Sequence, residues 1–545
     1  MTAYLPTADP ATTGAAWCDV LFVGAGPKAL MALAELDTRL AELGPDRPLL
    51  RITLCDPAPP GPGAVWDPEQ PVHLRMNVDA GIVDLRCPSV PESYREWERR
   101  VSPGTAGETF PPRVQVGRYL EWAAERLASS PRLELRHCAG RVTEVERDGD
   151  SWRTSVATAD GPVFWRSPIV ALCTGHADAG GADHRLITTG DGADRTGPLT
   201  VTGAALTAID VVLDVTEGRG GAWRHTPTGE LEYAASGAEP RLITLTSRSG
   251  EMMLPKPATD QRRVLDAVRT VTSAVPTGGE PDDAWWRTFA DAASAAARTE
   301  GIELGSDELM RHLDQGTPRA SATVQWAQGL ARAHGVLDGD PAWWWGRAWS
   351  AGYRDVVRSL ERGTRDPVLW ERWRRRAARL EKWAFGPPPA TVSKLQALHQ
   401  AGLLTVRAGG ATGRSAASAS AGTALRAVTA GPGVLTRPAD ALDPAPAHDD
   451  LWASLLARGH VTVRVGERGV FTRPDGVCLT PSGQPSAGLA ALGRPTEDPV
   501  IGHDTLNRTL HQDGERWSRA VAEWVAGARS PIAALPFPDH ERNSR

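Results

Sequence analysis

Two glycine turns carry the residues whose spacing can do chemistry. The first, Gly24-x-Gly26-x-x-Ala29, directly follows the apolar run Val20-Leu21-Phe22-Val23. In this pattern the first glycine permits a tight turn and the second lets a pyrophosphate approach the backbone. The small third residue lets the next helix sit against its strand, and Pro27 is counted with the turn among the cofactor-binding residues. Free N–H groups and a partial positive charge at the helix start then favour an anion. Asp56 closes the next apolar run, where an acid can hold ribose hydroxyls. A bare packing turn and a strand-end cap are the plainer alternatives for the glycines and for Asp56.

Gly203-x-Ala205-x-x-Ala208 repeats the turn in poorer form, with Thr207 in the first turn of its helix. Alanine in the second position crowds a pyrophosphate. The next strand ends in Thr246-Ser247-Arg248-Ser249. There the guanidinium of Arg248 and the hydroxyl of Ser247 suit a 2′-phosphate, unless Arg248 is simply a surface arginine. Two such turns predict FAD on the first and NADPH on the second, with hydride passing from nicotinamide to isoalloxazine.

The elements that must position these residues follow an order of βαβ, a second βαβ, a run of helices, and a return. This predicts an α/β fold with two Rossmann-like dinucleotide-binding domains, the second inserted in the first, plus a helical Trp-rich insertion. The expected boundaries are 1–198 for the first part of the FAD domain and 199–259 for the NADP core. The insertion is expected over 260–390, with the return of both domains and a C-terminal helix over 391–545. Helices are expected at 28–43 and 118–127, and strands at 133–137 and 141–146. A hairpin is expected from 152–158 and 163–167. The apolar strand 168–173 ends at Thr174-Gly175, and the small, polar stretch 408–424 reads as an exposed loop. Ten of the twenty tryptophans lie between Trp285 and Trp383, which sets that region apart. They read as core or subunit contacts, with a homo-oligomer left open and a substrate pocket as the lesser alternative. The Arg-rich stretch 371–383 reads as a solvated helix face with buried tryptophans.

GAGPKAL, PGPGAVWDPEQPVHLRMN, ALCTGH, GAALTAID and SRSG occur in the order seen in two-dinucleotide flavoproteins. The chain resembles the actinobacterial FAD/NAD(P)-binding proteins related to flavin-dependent N-hydroxylating and flavin-containing monooxygenases. The resemblance covers 18–260 and, more weakly, 385–525. It implies that Thr174 and Gly175 join the two nucleotide domains. It implies that Asn77 matches an asparagine placed beside the flavin and NADP+, with a plain Asx turn after Met76 as the alternative. Gln70 and Arg75 fall within reach of flavin or substrate on the same resemblance, and Trp66 is either a lid over the ring or core. Gly493 or Gly502 would bring backbone N–H groups to the flavin pyrimidine, and Asp504 would open the last helix or merely cap it.

The activity so implied is that of an FAD- and NADPH-dependent monooxygenase. A C4a-hydroperoxyflavin would deliver oxygen to a nucleophile, most simply by N-hydroxylation of an amino acid or small amine. C- or S-oxygenation, a flavin reductase or oxidase, and a non-catalytic nucleotide-binding partner or sensor protein are the alternatives. Composition narrows the field further. At 545 residues with 41% apolar content, two or three soluble domains are expected. A net charge of -6 supplies no basic excess for nucleic acid. Six scattered cysteines without CxxC give no zinc site, disulfide framework or disulfide-reductase signature, and no metal is expected. P-loop, HExxH and GxSxG motifs are absent. The first sixteen residues lack Lys and Arg, and no stretch is apolar enough to span a membrane, so a cytoplasmic protein is expected.

Overall fold

The computed structural model describes residues 15–44, 49–104, 106–175, 196–247, 249–316, 320–363, 366–408, 423–426, 450–503 and 505–527. The chain opens with β1 (Ala16–Trp17), β2 (Val20–Val23), α1 (Pro27–Glu42) and β3 (Leu50–Cys55). Then come α2 (Tyr94–Val101), α3 (Arg113–Ala128) and β4 (Leu133–Cys138). β5 (Gly140–Asp148), β6 (Ser151–Thr158), β7 (Gly161–Ser167) and β8 (Ile169–Leu172) complete this part. β2 is short and apolar because both its faces are covered. Val20 and Phe22 enter the core under α1 and α3, whereas Leu21 and Val23 enter a second core shared with Trp152 and Trp165. β5 to β7 form the antiparallel part of a small sheet ordered β1-β7-β6-β5. The expected hairpin is its β6–β7 arm.

A second unit follows, with β9 (Leu199–Thr202), α4 (Leu206–Val215), β10 (Ala222–His225), β11 (Leu231–Ala234) and β12 (Ile243–Ser247). Six helices come next: α5 (Arg262–Thr272), α6 (Asp283–Arg298), α7 (Ser306–Gln315), α8 (Ala322–Ala333), α9 (Pro341–Leu360) and α10 (Pro367–Ala384). α11 (Pro389–Gln400), β13 (Leu404–Ala408) and β14 (Thr423–Arg426) close the unit. Its sheet, β13-β12-β9-β14, is parallel throughout. The stretch expected as a loop over 408–424 starts at the end of β13 and ends inside β14, and 409–422 lies outside the described residues.

The ten tryptophans of the insertion are all buried. Nine share one core, and Trp326 belongs to the core of the second sheet, so the helices have a hydrophobic centre of their own. Trp286 stacks on Trp349 at 6.0 Å, and Trp370 on Trp373 at 4.4 Å. The Arg-rich face of α10 departs from a wholly solvated one. Arg376 is buried over the Trp286 ring, where two bonds of 2.8 Å to Asp314 compensate its charge.

The chain then returns through α12 (Asp450–Ala457), β15 (Val477–Leu479), β16 (Pro485–Ala491) and α13 (Asp513–Ala526). This completes a six-stranded sheet, β15-β16-β8-β2-β3-β4, in which only β15 is antiparallel. α13 docks on α1: Ser518 Oγ donates to the Ala32 carbonyl at 3.0 Å, and Trp517 meets Phe22 edge-on at 5.3 Å. The last helix therefore opens at Asp513, not near Asp504, which itself lies outside the described residues. Asn507 N donates to Thr505 Oγ1 and Thr509 N to Asn507 Oδ1. Such local side-chain bonds compete with helical ones and keep this stretch in turns.

Candidate functional site

Four neighbouring strands of the large sheet end along one edge. β3 leads into Asp56, β2 into Gly24, β8 into Cys173-Thr174-Gly175, and β16 into Leu492-Gly493. Backbone bonds hold these ends level: Gly24 N to Cys55 O at 2.9 Å, Cys173 N to Val23 O at 2.8 Å, and Leu492 N to Leu172 O at 3.0 Å. Strand order reverses between β2 and β8, so the crevice at their carboxyl ends is a topological switch point, where open α/β sheets bind ligands.

Gly24 has φ +95°, and a Cβ there would stand 2.6 Å from the Cys173 carbonyl oxygen, so only glycine fits. Gly26 is different. Its φ is an ordinary −77°, and a Cβ would meet only the Cα of Gly63, at 3.6 Å. Gly61 N donates to the Ala25 carbonyl at 2.8 Å, which folds the Pro60-Gly61-Pro62-Gly63 loop over the turn. Pro27 is the first residue of α1, and Ala29 is wholly buried beneath it. Asp56 accepts from Ala25 N at 2.9 Å and from Ala58 N at 2.8 Å. It caps its strand end and braces the glycine turn together, with lone pairs left on both oxygens. Thr174 Oγ1 is buried there without a hydrogen-bond partner. A bare glycine backbone, a helix start and an orphaned hydroxyl at a switch point fit the diphosphate end of a dinucleotide.

The loop between β3 and α2 holds the other expected residues. Trp66 packs partly buried against the first core, and its carbonyl lies where a Cβ on Gly117 of α3 would be. Gln70 Nε2 donates to Val65 O at 3.3 Å, and Arg75 pairs with Glu108, so both are engaged within the protein. Met76 is fully buried. Asn77 is half-buried, and its amide has no hydrogen-bond partner among the described residues.

In the second sheet Gly203 follows β9 with φ +132° and donates its N–H to the Thr246 carbonyl at 2.8 Å. Ala205 caps α4 from an exposed position, and Thr207 sits in its first turn. Ser247 Oγ accepts from Gly250 N at 2.9 Å. Arg248 lies outside the described residues.

Three features escaped the sequence. Gly61 and Gly63 were visible as PGPG but carried no assigned role. Asp210 and Asp214, one turn apart on the otherwise apolar α4, reach across to the first unit. Arg113 Nη1 lies 2.7 Å from Asp210, and His73 Nε2 lies 2.6 Å from Asp214. Two acids in so apolar a helix were the available signal. Finally, a pocket beside Gly493 is lined by Lys28, Glu35, Asn507, His511 and Asp513. A Cβ on Gly493 would stand 2.6 Å from Lys28 Cγ. Burial pulls His511 down to about 4, and its Nε2 lies 3.0 Å from the Gly502 carbonyl oxygen. Gly502 itself faces Tyr353, so of the two glycines it is Gly493 that stands at the sheet edge. Among the described residues there is no His/Cys/Asp/Glu group fit for a metal, and no helix is long and apolar enough to cross a membrane.

A crevice at the carboxyl ends of parallel strands suits a dinucleotide, and residues 21–177 match the family described as FAD-NAD(P)-binding. The resemblance carried by GAGPKAL and the loop after it is thereby shown. The chain is 30% identical over 274 residues to a nitrosuccinic acid synthase of Aspergillus oryzae, a match covering 44% of this chain and 41% of that protein. It is 29% identical over 279 residues to a nitrosuccinate-forming L-aspartate N-monooxygenase of Streptomyces cremeus, covering 42% of each. The match thus spans about two fifths of these curated relatives' length. Among solved structures, an ornithine N-hydroxylase of Kutzneria sp. 744 aligns with a TM-score of 0.46 at 16% identity, over 94% of this chain and all of that one.

Proposed function

We propose that the protein is an FAD- and NADPH-dependent monooxygenase that N-hydroxylates an amino acid or small amine. The observation that carries this is the convergence of Asp56, Gly24, Thr174 and Gly493 on one crevice, with Gly26 and Gly63 leaving the backbone bare between them. FAD, when bound, supplies hydride acceptance and activation of O2. The chain supplies the rest. The Gly24–Gly26 turn and the start of α1 hold the diphosphate, Asp56 the ribose, and Thr174 Oγ1 a polar atom of the coenzyme. Gly203, Ala205, Thr207, Ser247 and Arg248 hold NADPH against the second sheet. Asn77, whose amide has no partner among the described residues, offers two donors and one acceptor where the coenzymes meet. The pairs Arg113–Asp210 and His73–Asp214 fix one unit against the other, so that hydride donor and acceptor stay in register. N-oxygenation is supported by the relatives, two of which are named as L-aspartate N-monooxygenases.

The test is direct. Protein purified with FAD is expected to be yellow, to bleach rapidly with NADPH, and to consume NADPH and O2 in step with N-hydroxylated product from an amine panel. A colourless protein indifferent to added flavin in calorimetry overturns the proposal. Bleaching with oxygenation at carbon or sulfur overturns the N-hydroxylation part alone.

A further inference from the structure

The last level row of the large sheet before its strands end runs Leu172, Val23, Cys55, Cys138, each the Cα partner of the next across β8, β2, β3 and β4. All four side chains enter one core, on the face of the sheet shared with Trp152 and Trp165. Cys55 and Cys138 are therefore in-register neighbours on one face of a parallel strand pair, and both thiols are free and buried. Among the described residues no other two cysteines share a strand register. Adjacent strands lie about 4.8 Å apart, inside the window of about 4.4–6.8 Å that a disulfide spans between Cα atoms.

What sets this pair apart from two small core residues is what its backbone holds. The Cys55 carbonyl accepts from Gly24 N at 2.9 Å, and the Cys138 carbonyl accepts from Asp56 N at 3.2 Å. These are the glycine turn and the acid of the crevice. His137 Nε2 lies 2.9 Å from the Asp56 carbonyl oxygen, and Gly140 N donates to that oxygen at 3.3 Å, so Asp56 is tied on both sides of Cys138. The strand spacing falls short of what most disulfides prefer, about 5.5–6 Å, so a bond here strains both strand ends. A strained bridge is also one that thiols reduce readily. β4 is the outer strand of its sheet and Cys138 is its last residue, where opening to solvent costs least. A hydrogen bond from Cys55 holds the Cys138 thiol down to about 7 against its burial, while Cys55 is pushed up by that bond and then by burial. Cys138 thus supplies the thiolate and Cys55 the resolving thiol.

We propose that Cys55 and Cys138 are a modification site, a dithiol that hydrogen peroxide closes to a reversible disulfide, slackening the dinucleotide crevice as it closes. The Cys138 thiolate attacks one peroxide oxygen and the O–O bond breaks. The sulfur becomes a sulfenic acid, and the leaving hydroxide takes the proton that the thiol gave up. The Cys55 sulfur then attacks the sulfenic sulfur, and the second hydroxyl leaves as water with the Cys55 proton. Two thiols and one peroxide give one disulfide and two waters. Peroxide is what a reduced flavin yields with O2 when no substrate takes the oxygen, so the enzyme's own leak closes its coenzyme site. The bond rests on the sheet register alone, and only its effect on flavin rests on the proposed function.

Protein incubated with FAD is treated with hydrogen peroxide as wild type, Cys55→Ala, Cys138→Ala and, to control for the half-buried thiol, Cys87→Ala. Intact mass and peptide maps read the bond, hydrogen exchange at Gly24 and Asp56 reads the strand ends, and released flavin reads the crevice. Wild type and Cys87→Ala are expected to lose two hydrogens and to join the peptides that carry Cys55 and Cys138. Gly24 and Asp56 should exchange faster by about tenfold, the scale of one weakened backbone bond. Flavin should leave in step, and dithiothreitol should reverse all three changes. Cys55→Ala and Cys138→Ala should show none of them. Addition of oxygen without a cross-link overturns the proposal, as does a bridge through any other cysteine. A Cys55–Cys138 bridge that leaves exchange unchanged at both strand ends overturns it too. Should one Ala variant fail to fold, the other and the wild-type maps still decide. A protein that never holds flavin yet gains the bridge and the faster exchange supports the dithiol while sinking the FAD reading.

Discussion

Gly26 and Gly63 face each other across the mouth of the crevice, each the nearest atom that a Cβ on the other would meet, at 3.6 and 3.3 Å. The two differ in what they require. Gly63 has φ +59°, which disfavours any side chain, whereas Gly26 has an ordinary backbone and room for a methyl group. Gly26 is thus a glycine that the fold does not need.

Gly26→Ala should leave the stability of the flavin-free protein within about 1 kcal/mol of wild type, since the new Cβ makes only an ordinary contact. Flavin retention should nevertheless fall sharply, because the methyl group occupies the face a diphosphate must approach. Gly24→Ala should instead destabilise the fold itself, through its positive φ and the Cys173 carbonyl 2.6 Å away. Flavin content after gel filtration, read beside the unfolding midpoint, separates the two. A Gly26→Ala protein carrying full flavin would mean that no diphosphate lies there.

The pair His73–Asp214 is buried on both sides and joins the first unit to α4 of the second. His73→Gln and Asp214→Asn should each slow flavin bleaching by NADPH, and the double variant should be little slower than either. A cycle built on the bleaching rates should return a coupling of about 1–2 kcal/mol. Strictly additive losses would show that the contact does not set the register between the units.

How much of this was legible depends on whether a residue is marked by its own neighbours. Gly24, Asp56, Thr174 and Gly493 were readable because each ends an apolar run, and an apolar run that stops at glycine or a polar residue is the local mark of a buried strand's carboxyl end. That these ends lie side by side was readable only through the βαβ order. His73–Asp214 was not readable, since the pair is brought together by packing between distant segments. The start of the last helix was misjudged because Asp504 looks like a cap. Thr505 and Asn507 then spend their side chains on turns, and α13 waits until Asp513. Arg376 failed for a related reason: its helix reads as solvated until Asp314, from α7, is placed against it.

Asn77→Ala tests the residue that the resemblance singled out and whose amide has no partner among the described residues. Its amide bonds to no other described residue, so stability should change by no more than about 0.5 kcal/mol. The share of NADPH lost to hydrogen peroxide should rise, with the rate of bleaching nearly kept. If peroxide release stays at the wild-type level, Asn77 belongs to the loop and not to the reaction.

His511 gives the molecule a predictable response to acid. Burial, assisted by the charges of Lys28 and Arg362 against that of Asp513, pulls its folded value down to about 4 from the ordinary 6.5. The unfolded chain therefore takes up a proton below pH 6.5 that the folded protein refuses until about pH 4. Stability is full above pH 6.5 and falls as the pH drops through that window, by at most about 3 kcal/mol from this group. Asp513 is held below its usual range, so its own contribution fades only under pH 3.8 and does not blur the window. His312 and His460 are also lowered by burial and will leave a residual slope. The unfolding midpoint of His511→Gln should accordingly fall less than that of wild type between pH 7.5 and pH 5. Because the imidazole lines the pocket beside Gly493, flavin loss on acidification should follow the same curve in wild type and flatten in the variant. Parallel acid curves for the two proteins would show that His511 is already charged in the folded state, and the pocket would then be wetter than its burial implies.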